Sequence, residues 1–131
     1  MNKRLEGKVS LITGGSRGLG KAMAIAFAKE GAKAIGITYV TQEESARETC
    51  KEITSYGCTA YVNRVEVTNR ESIKDWLKQI SDAEGRVDVL VNNAGINRQG
   101  PIDTVTEEDW DDIMAVNLKG PFLISQEILP I

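Results

Sequence analysis

Thr13-Gly14-Gly15-Ser16-Arg17-Gly18-Leu19-Gly20 is the stretch of this 131-residue chain whose spacing best suits chemistry, and the chemistry is gripping a diphosphate. Glycines here let the backbone turn tightly and let a ligand approach where a side chain would collide. Ahead of the turn, Val9-Ser10-Leu11-Ile12 reads as a buried strand. Behind it, Lys21 to Lys29 carries Ala22, Ile25, Ala26 and Phe27 at helical spacing. A helix starting there aims free N–H groups and its positive dipole end at the turn, which favours phosphate oxygens. The spacing G-x-x-x-G-x-G shares the mechanism of the G-x-G-x-x-G dinucleotide fingerprint without sharing its letters.

Three further sets of residues fall at matching places. Glu66-Val67-Thr68 closes a third strand, where a carboxylate can accept from an adenine amino group. Asn92-Asn93-Ala94-Gly95 ends a fourth, and Asn117 lies within the last helical stretch. In sheets built from alternating strands and helices, ligands bind at the carboxyl ends of the strands, where the turn, Glu66 and Asn92 all fall. Histidine is absent, which removes His-based triads, His general bases and His metal ligands. Cys50 and Cys58 lack metal-type spacing and read as reduced, buried thiols of a cytoplasmic protein, so no metal is expected.

Stepwise along the chain, strands and helices alternate. Gly31 should stop the first helix, and Ala34 to Thr38 reads as a second strand. Thr41-Gln42-Glu43-Glu44 is a capping box opening a helix with Ala46, Cys50 and Ile53 on one stripe, ending near Gly57. Ala60 to Val65 is the third strand. A second box, Thr68-Asn69-Arg70-Glu71, opens a helix with Ile73, Trp76, Leu77 and Ile80 on its apolar face, stopping at Gly85. Val87 to Val91 is the fourth strand, and Thr106 caps a helix running towards the C-terminus. Gly120-Pro121 should end or kink that helix. Such alternation predicts a parallel sheet with helices on both faces, joined by right-handed crossovers.

Composition narrows the classes of partner. A net charge of −3 without clustered Lys and Arg argues against a nucleic-acid surface. The longest apolar stretch, Ala22 to Ala28, is far short of a membrane span. Met1 to Glu6 carries charges with no apolar segment behind them, so no secretory leader is expected. One domain over residues 1–131, placed in the cytoplasm, is the expectation.

With these residues in place, the chain resembles the short-chain dehydrogenase/reductase family, with closest similarity to its 3-oxoacyl-[acyl-carrier-protein] reductases. The pairing of T-G-x-x-x-G-x-G with N-N-A-G at this separation carries the resemblance, which extends over essentially the whole chain. It implies a Rossmann-type, doubly wound α/β fold in three α/β/α layers, with strand order 3-2-1-4 for the part present. It implies that Gly14, Ser16, Arg17, Gly18, Leu19 and Gly20 wrap the cofactor's phosphates and adenosine ribose, and that Glu66 and Val67 contact adenine. The family usually has Asp where this chain has Glu66. Asn92, Ala94 and Gly95 would line the pocket around the ribose and nicotinamide, with Asn93 stabilising the sheet. Asn117 matches the family's active-site Asn, which kinks its helix and holds a water in the proton relay.

Cofactor choice follows from charge. NAD selection uses an acidic residue after the second strand, roughly 20 residues beyond the turn. That region, Thr38-Tyr39-Val40-Thr41, has no carboxylate until Glu43, while Arg17 offers a cation for a 2′-phosphate. NADP(H) is therefore favoured over NAD(H), with Tyr39 counted among the cofactor-binding residues. The resemblance further implies a small carbonyl or alcohol substrate, possibly carried on acyl carrier protein, and a homo-oligomer.

Family catalysis rests on a Ser and on a Tyr followed four residues later by Lys. Four residues beyond Tyr39, Tyr56 and Tyr61 stand Glu43, Ala60 and Val65. The 131 residues are thus expected to be the N-terminal, cofactor-binding half of a reductase and inactive alone. The alternative is a catalytically inactive NADP-binding module that pairs with a longer relative; a reading frame continuing past Ile131 discriminates the two. An exposed fourth strand and a last helix carrying Trp110, Ile113, Met114, Leu118, Phe122 and Leu123 predict self-association or a frayed C-terminus.

Overall fold

Short apolar runs whose backbones need partners pair into one parallel sheet. In the computed structural model, which describes residues 3–98 and 100–131, it is built from β1 (Val9–Ile12), β2 (Ala34–Tyr39), β3 (Thr59–Arg64) and β4 (Val89–Val91). The order is β3-β2-β1-β4, as the resemblance implied. Met1 and Asn2, the start of the segment read for a leader, lie outside the described residues. Register sets Ile12 opposite Ile37 on one side and Val91 on the other, so three strand ends meet at one level.

Successive side chains of a strand point to opposite faces, and two cores result. On one face Ile12, Ile35 and Ile37 pack with Ala24 and Ala28 of α1 (Gly18–Lys29) and with Ala46 and Ile53 of α2 (Glu43–Ser55). On the other, Val9 and Leu11 pack with Ile73, Trp76, Leu77 and Ile80 of α3 (Arg70–Glu84). Leu123 and Ile124 of α5 (Gly120–Ile128) complete that second core. Each fully buried aliphatic side chain stabilises the fold by about 1.5–3 kcal/mol, so the layers hold by many small terms. Among the described residues no helix is long and apolar enough to cross a membrane.

Several boundaries differ from expectation. The Thr41 box does not form: Gln42 is the first cap, and no side chain caps α2. At α3 the cap is Asn69 rather than Thr68; its Oδ1 accepts from the Glu71 and Ser72 N–H groups at 2.9 and 3.2 Å. The Asn69 N–H is already turned back onto the Glu66 carbonyl, which brings Asn69 into the capping position. Thr106 does cap α4 (Glu107–Met114), accepting from Asp109 at 3.0 Å. Gly120-Pro121 does not end the last helix. A π-helical turn, Ala115–Lys119, joins α4 to α5, with the Gly120 N–H reaching the Ala115 carbonyl five residues back. That widened turn absorbs the residue whose N–H is missing, and the helix continues.

Asp88 directly precedes β4. Its carboxylate faces β1 and accepts the Val9 N–H at 2.8 Å. The hydrogen bond from Arg86, and then that from Val9, hold the Asp88 carboxyl below its ordinary range. The last helix does carry an uncovered apolar row: Trp110, Met114, Leu118 and Phe122, four residues apart, are 36–62% exposed. Leu123, one residue on, is buried.

One buried charge makes stability pH-dependent. The Tyr61 hydroxyl donates to Glu84 at 2.6 Å, and the Lys33 ammonium lies 3.2 Å from the other Glu84 oxygen. The Tyr61 hydrogen bond holds the Glu84 carboxyl below its ordinary value of 4.5, while the same bond pushes Tyr61 up to about 12. A depressed carboxyl contributes stability that is present above its unfolded pKa and lost as pH falls through the folded one. Urea midpoints should therefore decline below about pH 4.5, and Tyr61→Phe should flatten that decline. An acid limb with the same slope in both proteins would refute the assignment.

Candidate functional site

The turn expected to hold a diphosphate is fastened on two sides, to the ends of β4 and β2. The Thr13 N–H donates to the Val91 carbonyl at 3.1 Å, and the buried Thr13 Oγ1 accepts from the Asn93 and Ala94 N–H groups at 3.0 and 2.9 Å. Asn93 returns the bond: its Nδ2 donates to the Thr13 and Gly14 carbonyls, each at 3.0 Å. On the β2 side, the Gly14 N–H reaches Thr38 Oγ1 and the Gly15 N–H the Thr38 carbonyl, both at 3.1 Å. Turn, β4 end and β2 end thus form one rigid floor.

Glycine is required at three points of this floor, one being Gly15, where a Cβ would lie 2.6 Å from Ile37 Cβ. Gly14 has φ +69°, a left-handed conformation that side chains resist. Gly20 has ordinary dihedrals, but a Cβ there would strike the Gly14 carbonyl oxygen and lie 2.5 Å from Asn93 Nδ2. The close approach of α1 to the turn is therefore built into the sequence.

Above the floor opens a cleft of about 760 Å³, within the range of small-molecule and cofactor sites. Gly14, Ser16, Arg17 and Gly18 form one side; Thr38 to Gln42 and Val65 to Thr68 form the walls; Asn93 to Ile96 form the far end. The N-terminus of α1 has no side-chain cap and no acidic residue in its first turn, so its N–H groups and dipole stay available to an anion. Between Thr38 and Gln42 no carboxylate enters the cleft. Glu43, the first one along, is taken by Arg47 at 2.8 Å, one turn further into α2.

Of the residues expected at the site, Gly14, Ser16, Arg17, Gly18, Tyr39, Glu66, Val67, Ala94 and Gly95 line the cleft. Leu19, Gly20, Asn92 and Asn117 do not. Gly20 lies beneath the floor as its packing contact, and the Leu19 side chain is 70% exposed. Asn117 stands on the π-helical turn, and both ends of its amide are engaged: Oδ1 accepts the Ile96 N–H and Nδ2 donates to the Ile96 carbonyl, each at 2.8 Å. It acts here as a clamp on the loop after β4. Pro121 brings no N–H to the carbonyls of the preceding turn, where Asn117 sits. Gly120 lets the helix close on the cleft wall, since a Cβ there would come within 2.9 Å of Val67.

Sequence reasoning missed two anchors. In the sequence Thr13 reads only as part of the motif, although a hydroxyl directly before the first glycine is placed to serve the neighbouring strand end. Thr38 had the same signal, a hydroxyl at the end of a buried strand. The groups present suit a dinucleotide: uncapped amide donors for phosphates, the Arg17 cation for an added phosphate, and the Glu66 carboxylate as acceptor for a base amino group. Among the described residues no group of three or more His, Cys, Asp and Glu could hold a metal ion.

Comparison with known proteins gives the family. A family profile described as short chain dehydrogenase matches residues 8–131. The 3-oxoacyl-[acyl-carrier-protein] reductase FabG of Vibrio cholerae is 46% identical over 125 residues, 95% of this chain and 49% of the relative. That of Thermotoga maritima is 42% identical over 127 residues, 97% of this chain and 51% of the relative. The chain spans about half the length of the curated relatives it matches. Among solved structures, a Burkholderia cenocepacia short chain dehydrogenase in complex with NADP superposes with a TM-score of 0.92 at 35% identity, covering 97% of this chain and 51% of that one. A metagenomic short-chain oxidoreductase in complex with NADP gives 0.88 at 35% identity, covering 96% and 57%.

Proposed function

We propose that this chain, which belongs to the short-chain dehydrogenase family, is the NADP(H)-binding part of a cytoplasmic oxidoreductase acting on a carbonyl or alcohol. Reduction of a 3-oxoacyl thioester, carried on acyl carrier protein, is the reaction assigned to the whole protein. The observation that carries the reading is the fastened glycine turn, which presents uncapped α1 amides to a cleft lined by Arg17 and by a Thr38–Gln42 segment without a carboxylate. When bound, the nicotinamide supplies a hydride to a carbonyl carbon or takes one from an alcohol.

The chain's own residues bind and orient. The α1 amides from Gly18 to Gly20 hold phosphate oxygens, with Ser16 beside them and Leu19 shielding the approach. Arg17 and the Tyr39 end of β2 receive the 2′-phosphate, and Glu66 and Val67 receive the base. Ala94 and Gly95 form the ribose and nicotinamide end, with Asn92 behind them in the chain. Asn117, through Ile96, sets the position of that end, and the π-helical turn before Pro121, which has no N–H, leaves a carbonyl suited to a relay water. Self-association through the exposed Trp110, Met114, Leu118 and Phe122 row belongs to the same reading.

A second reading, an NADP-binding module without turnover, draws on one observation: within the 131 residues no Tyr has Lys four positions later. Binding is common to both. Titration followed by nicotinamide fluorescence should give NADPH an affinity at least tenfold above NADH. Arg17→Ser should cut NADPH binding about tenfold and leave NADH nearly unchanged, since a charged hydrogen bond contributes about 1.5–3 kcal/mol. Tighter binding of NADH would overturn the cofactor assignment.

A further inference from the structure

Outside the phosphate floor, one side chain touches both walls of the cleft without lining it. Arg64, the last residue of β3, donates from Nε to the Val40 carbonyl at 3.1 Å and from Nη2 to Glu66 Oε1 at 3.0 Å. Val40 belongs to the loop after β2, and Glu66 to the loop after β3. Both line the cleft, and they follow neighbouring strands. One planar guanidinium, 57% exposed, therefore links the two loops and directs a carboxylate that is itself 41% exposed.

We propose that Arg64 is a positioning residue that makes this cleft select a 6-aminopurine over a 6-oxopurine; the proposal rests on the dinucleotide reading above. Glu66 has one more torsion than an aspartate at the same place and would sweep several directions if unheld. With Oε1 held by Arg64, Oε2 takes no bond among the described residues and is left to accept. The partner it fits is an exocyclic amino group, a donor. A carbonyl at the same position of the purine presents lone pairs to a carboxylate and is repelled. The base would enter beside the Val40 and Glu66 loops, and the second arm of the clamp acts on the same discrimination by anchoring the guanidinium that directs the carboxylate.

The test compares NADPH with its hypoxanthine analogue, deamino-NADPH, by fluorescence titration of the full chain. The parent should bind NADPH about tenfold more tightly than the analogue, and Arg64→Met should reduce that ratio about three- to fivefold. In a Glu66→Ala background, where discrimination is already lost, Arg64→Met should leave the ratio unchanged. Arg64→Lys keeps the charge but not the two-armed geometry, and should fall with Arg64→Met; it also serves as the second variant, with folding checked by circular dichroism. Equal weakening of both ligands by Arg64→Met, or no change in their ratio, overturns the proposal, as does a parent that binds both equally well. A parent that binds neither refutes the cofactor site itself, a separate failure.

Discussion

Gly20→Ala should abolish measurable NADPH binding and lower the chain's stability, although it adds a single methyl group. The added Cβ would meet the Gly14 carbonyl oxygen and Asn93 Nδ2, and neither can give way. The carbonyl is backbone in a left-handed turn, and Asn93 Nδ2 is held between two carbonyls at 3.0 Å each. Overpacking a fixed site costs about 1–3 kcal/mol, occasionally more, against a total stability of about 5–15 kcal/mol for a domain. Relief can come only by moving α1 away from the turn, which carries its amides off the phosphate position. Gly18→Ala is the control. Its Cβ would meet nothing within 4 Å, so only the strain of φ +58° applies. That single left-handed residue costs about 1–2 kcal/mol. Urea midpoints and NADPH titrations should thus rank parent, Gly18→Ala, Gly20→Ala. Should Gly20→Ala match the parent in both, the close packing of helix on turn described here is wrong.

What the sequence made legible follows from how local each signal is. Val9–Ile12 and Ala34–Tyr39 are buried runs whose limits are marked by neighbouring glycines and charges, and both were readable to within one residue. β3 slid by one residue because its side chains are only half covered, so hydrophobicity gives no sharp edge. Thr68 and Asn69 both favour capping positions, and a backbone bond from Asn69 to Glu66, not propensity, selects between them. Pro121 was readable as a disturbance but not as a π-helical turn, since continuation depends on α5 packing Leu123 and Ile124 against the second core. In the site, the glycines announced themselves, whereas the partners of Asn117 and Arg64 did not. Asn117 meets Ile96 across 21 residues and Arg64 meets Val40 across 24. Nothing in either neighbourhood of sequence encodes such a contact.

Thr13→Val should be the most damaging isosteric change in the chain. Valine matches threonine in shape, so the buried space at position 13 stays filled, and the only loss is one oxygen. That oxygen accepts two backbone N–H groups, those of Asn93 and Ala94, at 3.0 and 2.9 Å. A buried donor left without an acceptor costs about 1–3 kcal/mol; the Ala94 N–H loses its acceptor outright while the Asn93 N–H keeps the Val91 carbonyl at 3.1 Å, so the substitution should lower stability by about 1–3 kcal/mol. The loop after β4 would swing out to find water, taking Ala94 and Gly95 from the far end of the cleft. NADPH affinity should therefore fall together with the urea midpoint. Thr13→Ser retains the oxygen and sheds only a methyl group; it should recover most of the binding and at least half of the lost stability. If serine and valine at position 13 prove equally harmful, the methyl group and its packing govern this position. The hydroxyl would then no longer be what joins the turn to β4.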